Sequence, residues 1–356
     1  MTTEKKKETK RRFDKRFFVF LFLAIIFLCI FYYLASHQQE PEQDFSSLII
    51  FEDDSSIAEE EHSSQEQVTT TEQHEDIVDS TGQPEGILYI HMIDCGQGDC
   101  FLFEENGKYA LIDCGTRSST DEVADYLKNE QVDKFEFIVG THQHDDHMGG
   151  MNEIISNYEC ETIYMPKIKS DIVTANWYLQ LMSKIKKDKI KVVNPQIGDT
   201  FYLEDAKFTV IGQLSSEEAK NNVNDYSTVI HVSYGDMDFV FTGDAETKVE
   251  RQMLDMQNVS ECEVLKAGHH GSDTSTSKEF LEAVNPKYCL ISCGVGNKYE
   301  HPCTSTMKML KKEKVEVYRT DELGSVVLEV TANDITFSTK PGDYKDGVTV
   351  AKKRKG

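Results

Sequence analysis

Apolar runs separated by polar turns and amphipathic stretches fill residues 87–340, and they predict strands and helices in alternation. The predicted strands are Ile87–Ile93, Cys100–Phe103, Tyr109–Ile112, Phe135–Val139, Glu161–Tyr164, Lys191–Val193, Thr200–Leu203, Lys207–Ile211, Ser227–Ser233, Asp238–Thr242, Glu263–Lys266, Tyr288–Ser292 and further strands from Val315. The predicted helices are one that starts near Ser119 with Glu122 in a capping box, Gly149–Tyr158, Ile172–Lys186, Thr247–Met256, Ser277–Val284 and Thr304–Lys312. This order predicts an α/β fold in which two mixed sheets pack face to face with helices outside, an αββα sandwich.

Residues 1–35 differ from the rest of the chain. Residues 1–16 are rich in Lys and Arg, and residues 17–35 are apolar without a charged side chain. At ~1.5 Å per residue, this run nearly spans a ~30 Å hydrocarbon core, so it predicts a single transmembrane anchor. A cleaved signal peptide is the alternative, but bulky residues before Ala35 disfavour cleavage. The basic flank predicts a cytoplasmic N-terminus in the cell membrane, with everything after Ala35 extracellular.

The segment between the anchor and the domain is polar and acidic. Residues 36–86 contain many Asp, Glu, Ser, Thr and Gln but no Lys or Arg. Such a composition buries too little apolar surface to offset the entropy of ordering, so we expect a disordered stalk. Residues 87–340 are then the folded domain, which is long enough for a substantial core. Residues 341–356 end in a basic cluster and predict a solvated tail.

The net charge bears on nucleic-acid binding, and the cysteine content bears on disulfide bonds. The formal net charge of −24 argues against a broad basic face for duplex nucleic acid, although it leaves room for a local basic groove. All but one of the nine cysteines lie after residue 86. Their even number outside the membrane permits disulfides, but most lie in strand-like runs where a buried free thiol is commoner.

The loop after the predicted strand Phe135–Val139 contains a high density of potential metal ligands. The potential metal ligands there are His142, His144, Asp146 and His147. A tight loop after a buried strand lets the first two point to one metal ion and the last two to a second. Neutral imidazole and carboxylate suit Zn²⁺ or Mn²⁺. A surface loop rich in histidine by chance is the alternative, and the density of ligands disfavours it.

This His-x-His-x-Asp-His segment resembles the metal-binding motif of the metallo-β-lactamase superfamily. Asp113 resembles the strand-end aspartate that orients the metal loop there, and Asp244 resembles the aspartate that bridges the metals. The closer resemblance is to the branch that contains the soluble domain of the competence protein ComEC. The features of that branch appear in order as Asp94-Cys95-Gly96-Gln97-Gly98-Asp99, Asn224-Asp225-Tyr226-Ser227, Gly243-Asp244-Ala245, Gly268-His269-His270-Gly271-Ser272, and Asn297 with His301-Pro302.

The resemblance implies a site for two divalent ions, Zn²⁺ or Mn²⁺. The implied metal ligands are His142, His144, Asp146, His147, Asp244 and His270. The implied catalytic residues are Asp146, His269 and His301. Asp244 would bridge the ions, and His270 is favoured over His269 to complete the second site. The alternative for this histidine pair is a structural role at the end of the strand Glu263–Lys266, and His301 is either a further ligand or a proton donor.

One departure from the superfamily concerns the first ion. Many members supply a third histidine between the two main motifs, and here only His231 falls in that interval. It lies in the middle of a predicted strand, where a structural histidine is expected. Asn224 or Asp225 would approach instead, and the first ion would be held loosely.

These residues favour a hydrolase. Two ions ~3.5–4 Å apart would lower the pKa of a shared water and so supply a metal-bridging hydroxide that could attack the substrate. The resemblance implies a phosphodiesterase or nuclease, with nucleic acid or a cell-wall polymer carrying phosphorylcholine as the phosphoester substrate. Lys266 would either aid an anionic substrate or be an ordinary solvated lysine. The rival from another class is a non-catalytic tethered binding module, which the intact ligand set disfavours.

Overall fold

A computed structural model describes residues 83–169 and 172–355. The strands are β1 (Leu88–Met92), β2 (Phe101–Glu105), β3 (Lys108–Ile112), β4 (Lys134–Val139), β5 (Glu159–Tyr164), β6 (Lys191–Val193), β7 (Thr200–Leu203), β8 (Ala206–Gly212), β9 (Val229–Tyr234), β10 (Met237–Phe241), β11 (Val264–Lys266), β12 (Tyr288–Ile291), β13 (Glu316–Arg319), β14 (Val326–Thr331) and β15 (Asp334–Phe337). The helices are α1 (Thr120–Asn129), α2 (Asp145–Met148), α3 (Met151–Asn157), α4 (Asn176–Asp188), α5 (Ser216–Ala219), α6 (Thr247–Asp255), α7 (Lys278–Val284), α8 (Thr304–Glu313), α9 (Thr320–Leu323) and α10 (Gly347–Lys355). Short 3-10 helices lie at Arg117–Ser119, Val223–Tyr226 and Gly268–Gly271.

The strands of the described residues form two mixed sheets. The first has the order β15-β14-β1-β2-β3-β4-β5-β6, and the second has the order β13-β12-β11-β10-β9-β8-β7. Strands β3 to β6 are parallel, as are β10 to β13, and the other pairs are antiparallel. The carboxyl ends of the two parallel halves carry the loops with the predicted metal ligands.

Three apolar layers hold the sheets and helices together. Between the sheets, the ring centroids of Phe103 and Phe208 lie 5.1 Å apart, and those of Phe103 and Phe241 lie 5.2 Å apart. A second cluster packs α1, α3 and α4 on the outer face of the first sheet. A third packs α6, α7 and α8 on the outer face of the second sheet. The prediction of an αββα sandwich is therefore confirmed.

Local sequence patterns explain individual elements. In β7, Phe201 and Leu203 are buried and alternate with exposed neighbours, the period-two pattern of a strand with one buried face. In α4, four apolar residues at helical spacing face the core: Tyr178, Leu181, Met182 and Ile185. The helix ends where Lys189 adopts the left-handed conformation with φ 57°.

The helix predicted to start near Ser119 is α1, which begins at Thr120, but its predicted cap differs from the structure. The capping box expected from Ser119 and Glu122 is wrong, because the Ser119 side chain makes no cap hydrogen bond to α1. Its hydroxyl instead lies 2.9 Å from that of Thr116, and these two residues form the capping box of the preceding 3-10 helix. The predicted helix Gly149–Tyr158 is α3, which begins at Met151 and ends at Asn157, and the short helix α2 before it was not predicted.

The residues after 340, expected to be a basic tail, include the helix α10. Val350 on this helix is buried, and the amide of Gly347 donates to the carbonyl oxygen of Pro302 over 3.0 Å. A Cβ atom on Gly347 would meet the carbonyl oxygen of His301 at 2.0 Å, so glycine allows this close approach. The end of the chain thus packs against the loop that carries His301.

Two predictions concern other parts of the chain. The predicted basic segment and anchor, and the stalk up to residue 82, lie outside the described residues. Among the helices of residues 83–169 and 172–355, none has the length and apolar composition that a membrane span requires.

The eight cysteines of the described residues are free thiols, six of them buried.

Candidate metal centre

The loop after β4 is anchored by Asp113. The carboxylate of Asp113 accepts hydrogen bonds from the amide and hydroxyl of Thr141, at 2.8 and 2.7 Å. It also lies 2.7 Å from Nδ1 of His147. A carboxylate on Nδ1 fixes the ring and leaves Nε2 free to bind a cation. The structure therefore places Asp113 where the sequence resemblance expects it, behind the ligands.

A first group of potential ligands lies where α2 meets two loops of the second sheet. Its members lie within 4.8 Å of one another: Asp146, His147, Asp244 and His270. Nε2 of His147 lies 3.2 Å from Oδ1 of Asp244, and Nε2 of His270 lies 3.4 Å from Oδ2 of Asp146. Nδ1 of His270 lies 2.9 Å from the carbonyl oxygen of Ser292, which holds the proton on Nδ1. Both histidines thus direct Nε2 into the group.

A second group contains His142, His144 and Asp244. Nε2 of His142 lies 3.0 Å from Nδ1 of His144 and 3.9 Å from Oδ2 of Asp244. On the other side of its ring, Nδ1 of His142 lies 3.3 Å from the Ser227 hydroxyl, which also accepts the amide of Asp244. Asp244 therefore faces one group with Oδ1 and the other with Oδ2.

Unpartnered atoms show that the first group fits a cation. Among the buried side-chain atoms without a hydrogen bond in the described residues, three belong to this group: Nε2 of His147, Nε2 of His270 and Oδ1 of Asp244. Buried polar atoms are normally paired, so three that converge on one point fit a ligand that accepts lone pairs. Imidazole nitrogen with carboxylate oxygen is the donor set of Zn²⁺ and is also used by Mn²⁺.

The charges of the site support the same interpretation. Burial raises the pKa of Asp244, but the neighbouring His147 and His270 outweigh it and hold that pKa well below its ordinary value. Burial opposes protonation of His147, yet the carboxylates of Asp244 and Asp113 raise its pKa well above the usual range. The pKa of His142 is lowered well below its ordinary value by burial and by the neighbouring His147. The buried carboxylates thus attract positive charge, which bound cations would supply.

A family model described as the metallo-β-lactamase superfamily matches residues 93–295, more than half of the chain. The chain belongs to the metallo-β-lactamase superfamily. The match begins just after β1 and runs through the loop before His301, so it covers both groups of ligands.

Curated relatives of this metallo-β-lactamase-fold protein are competence proteins of the ComEC-like type, as the sequence motifs predict. ComE operon protein 3 of Bacillus subtilis is 25% identical over 270 residues, which cover 71% of this chain and 34% of that protein. Recombination protein 2 of Haemophilus influenzae is 28% identical over 242 residues, which cover 67% and 28%. The chain thus spans about a third of the length of these relatives. A solved structure, the metallo-β-lactamase fold protein YhfI from Bacillus subtilis, is 14% identical with a TM-score of 0.45 and covers 69% of this chain and 100% of that chain.

The ion pair between Lys266 and Asp99 in the metallo-β-lactamase site was not predicted from the sequence. Lys266 was expected to be solvated or to aid a substrate, but it is 1% exposed and its Nζ lies 2.5 Å from Oδ2 of Asp99. Oδ1 of Asp99 lies 3.3 Å from Nδ1 of His270. The signal was the Gly-Gln-Gly-Asp turn, together with a lysine inside an apolar strand. The pair lies behind the ligands and holds them.

The predicted catalytic histidines lie on the open side of the metallo-β-lactamase site. His269 is 24% exposed, and its Nε2 lies 3.6 Å from Oδ2 of Asp244. The ring centroid of His301 lies 5.3 Å from that of His269, and Nδ1 of His301 has no hydrogen-bond partner in the described residues. Burial and the neighbouring His269 and His270 lower the pKa of His301 to about 4. Both rings therefore border the space in which a substrate would meet the ligands.

Three residues were considered as a third ligand of the first ion, and two of them, Asn224 and Asp225, keep a buried Oδ1 without a hydrogen bond in the described residues. His231 lies in β9 with Nε2 3.0 Å from Oδ1 of Asp238, the structural role that the sequence predicts. The amide nitrogen of Asn224 lies 3.1 Å from Glu246 Oε1 and 3.4 Å from Nδ1 of His269. Asp225 belongs to none of the ligand groups found in residues 83–169 and 172–355.

Proposed function

We propose that this metallo-β-lactamase-fold hydrolase is a phosphodiesterase that acts on nucleic acid, with its domain held outside the cell by the anchor at residues 17–35. The observation that carries the catalytic part is the position of Asp244, whose two oxygens face two separate groups of ligands. Such an arrangement suits two cations that act together on one phosphate. The names of the curated relatives, which include competence and recombination proteins, support nucleic acid as the substrate class.

The position of each residue in the site determines whether it would bind the cations or orient a ligand. Two divalent cations bound there would supply a water of lowered pKa and neutralise charge on the phosphate oxygens. His142, His144, Asp146, His147 and His270 would hold them, with Asp244 between. Asp113 keeps the His147 ring oriented through Nδ1.

Proton delivery to the leaving oxygen belongs to the open side of the site. His269 borders that side with 24% of its side chain exposed, and the ring centroid of the buried His301 lies 5.3 Å from that of His269. His301 keeps one buried nitrogen without a partner, so it can hold a hydrogen bond to an incoming oxygen atom.

The test uses the full chain in detergent or membranes, first for metal content and then for turnover of bis(p-nitrophenyl) phosphate with Zn²⁺ and with Mn²⁺. We expect turnover that His144→Ala and Asp244→Ala abolish without unfolding the protein. His231→Ala, a histidine outside the site, is the matched control and should keep its activity. A fully metallated protein that hydrolyses neither this ester, DNA nor a phosphorylcholine polymer would refute the phosphodiesterase and favour the binding module.

A further inference from the structure

Aromatic contacts continue from the metal centre to the surface of the domain. Beyond His269 lies His301, and the ring centroid of Tyr299 lies 5.6 Å from that of His301 with 24° between the ring planes. Tyr299 is 52% exposed, although large aromatic side chains are usually buried. The contacts thus end in an exposed ring beside the catalytic histidines.

The loop that carries Tyr299 is held by one side chain, that of Asn297. Its Nδ2 donates to the carbonyl oxygens of Gly294 and His301, at 2.9 and 2.7 Å. Its Oδ1 accepts from the amides of Tyr299 and His301, at 3.2 and 3.0 Å. The backbone is therefore fixed on both sides of Tyr299. A ligand that binds to the ring then causes only a small loss of conformational entropy in this loop.

A neighbour of Tyr299 gives this surface its chemistry. The ammonium group of Lys298 lies 4.7 Å from the centroid of the Tyr299 ring. An exposed aromatic face with a flexible cation beside it is the pairing that proteins use for a base and its phosphate in single strands.

We propose that Tyr299 and Lys298 form a stacking subsite for a base of single-stranded nucleic acid whose phosphodiester lies at the metal centre. This inference rests on the proposed phosphodiesterase function and names its substrate more closely. The Tyr299 ring stacks on the base, and Lys298 moves from the ring to a neighbouring phosphate.

Two other substrates fit this surface less well. A quaternary ammonium headgroup binds to aromatic rings through its positive charge, and the Lys298 cation on the Tyr299 ring repels it. Duplex nucleic acid keeps its base faces stacked inside the helix, where no protein ring reaches them. The acidic chain also lacks the net positive charge that broad duplex binding uses.

The binding test uses the full chain after treatment with chelator, so that it does not depend on turnover. Fluorescence anisotropy compares a labelled short oligothymidylate with an abasic oligomer of equal length and charge. We expect the wild type to bind the thymidylate about 5- to 150-fold more tightly, the range of stacking on one ring. Tyr299→Ala should remove this preference and Tyr299→Phe should keep it. The control is Tyr202→Ala, which removes a 57% exposed tyrosine from β7.

Turnover with metal then separates this inference from the proposed function. If Tyr299→Ala raises the KM for the thymidylate alone, the subsite is supported. If it slows both oligomers equally, Tyr299 only positions His301 and the subsite is refuted. If the wild type binds and cleaves both oligomers alike, or cleaves only bis(p-nitrophenyl) phosphate or a phosphorylcholine polymer, the subsite fails while a phosphodiesterase remains. If no phosphodiester is cleaved, both fail.

Discussion

The ammonium group of Lys266 lies 2.5 Å from the carboxylate of Asp99, and both side chains are buried. The same group donates to the carbonyl oxygen of Gly243 over 2.7 Å, next to the aspartate that faces both groups of ligands. Burial opposes the charge on Lys266, but Asp99 and Asp244 outweigh it and raise its pKa above the ordinary value. One lysine thus connects the turn before β2 to the loop after β10.

Replacing Lys266 should cost much of the domain's stability. Lys266→Met leaves the Asp99 charge buried without its partner, and we expect the free energy of unfolding to fall by about 3–5 kcal/mol. Urea unfolding of the full chain measures this. The control Lys278→Met breaks an exposed pair with Glu282 and should leave the free energy of unfolding almost unchanged. Equal losses in the two variants would contradict a structural role for the buried pair.

Glu105 should make stability depend on pH. It is buried at the end of β2 and accepts the amides of Asp205 and Ala206, at 3.1 and 3.2 Å. Burial raises its pKa from 4.5 to about 7, so between these values the folded chain keeps a proton that the unfolded chain releases. Stability from this group is therefore present below pH 4.5 and is lost as pH rises to about 7.

Glu105→Gln tests this directly. The variant lacks the titration, so its stability relative to wild type should improve by up to about 3 kcal/mol between pH 4.5 and pH 8. Urea unfolding at both values gives the difference. Glu104→Gln, on the opposite face of the same strand, is the control. A difference between Glu105→Gln and wild type that does not change with pH would rule out the titration of Glu105.

His301 should matter most for poor leaving groups. A p-nitrophenolate leaves without a proton at neutral pH, whereas the alkoxide of a nucleotide needs one. The pKa of His301 is lowered to about 4, so the fraction of rings that carry a proton grows as pH falls, and the assay is run at the lowest pH at which the protein keeps its metal. There we expect His301→Ala to lower kcat on DNA by about 10²- to 10⁴-fold and kcat on bis(p-nitrophenyl) phosphate by less than about tenfold. Metal content of the variant is the control. Equal losses on the two substrates would make His301 a ligand or a positioning residue instead of a proton donor.

Metal ions should stabilise the fold through Asp244. At a metal concentration about 100 times Kd, Zn²⁺ or Mn²⁺ should add about 2.7 kcal/mol to the chelator-treated protein, which a rise in Tm measures. Asp244→Asn removes a charge that faces both groups and should melt at the same temperature with and without metal. His231→Ala should respond like wild type. A metal-dependent rise in Asp244→Asn would show that the cations bind elsewhere.

Much of the fold could be predicted because strands and helices differ in the spacing of their apolar residues, which recur about every second residue in a strand with one buried face and about every 3.6 residues in an amphipathic helix. The strands Lys191–Val193 and Thr200–Leu203 were predicted with their exact bounds, since turn residues flank short apolar runs. The start of α1 near Ser119 was predicted correctly, but its capping box was wrong because Ser119 pairs with Thr116 in the capping box of the preceding 3-10 helix. Local signals of this kind are degenerate, and packing decides between them.

The six predicted ligands converge in the structure, because a dense loop and two short motifs carry them. The pair of Asp99 and Lys266 could not be predicted from either segment alone. A lysine at a strand end is usually solvated, and only the meeting of loops from both sheets buries it. The exposure of Tyr299 was equally hidden, since it depends on the Asn297 hydrogen bonds that turn the loop outward.

The contact between Gly347 and Pro302 makes residue 340 a poor place to shorten the protein. A chain that ends there would lack α10 and its buried residue Val350, which pack against the loop that carries His301. The segment with Tyr299 and His301 would then be free to move, and assays on such a fragment would report a loosened loop instead of the substrate preference of the intact enzyme.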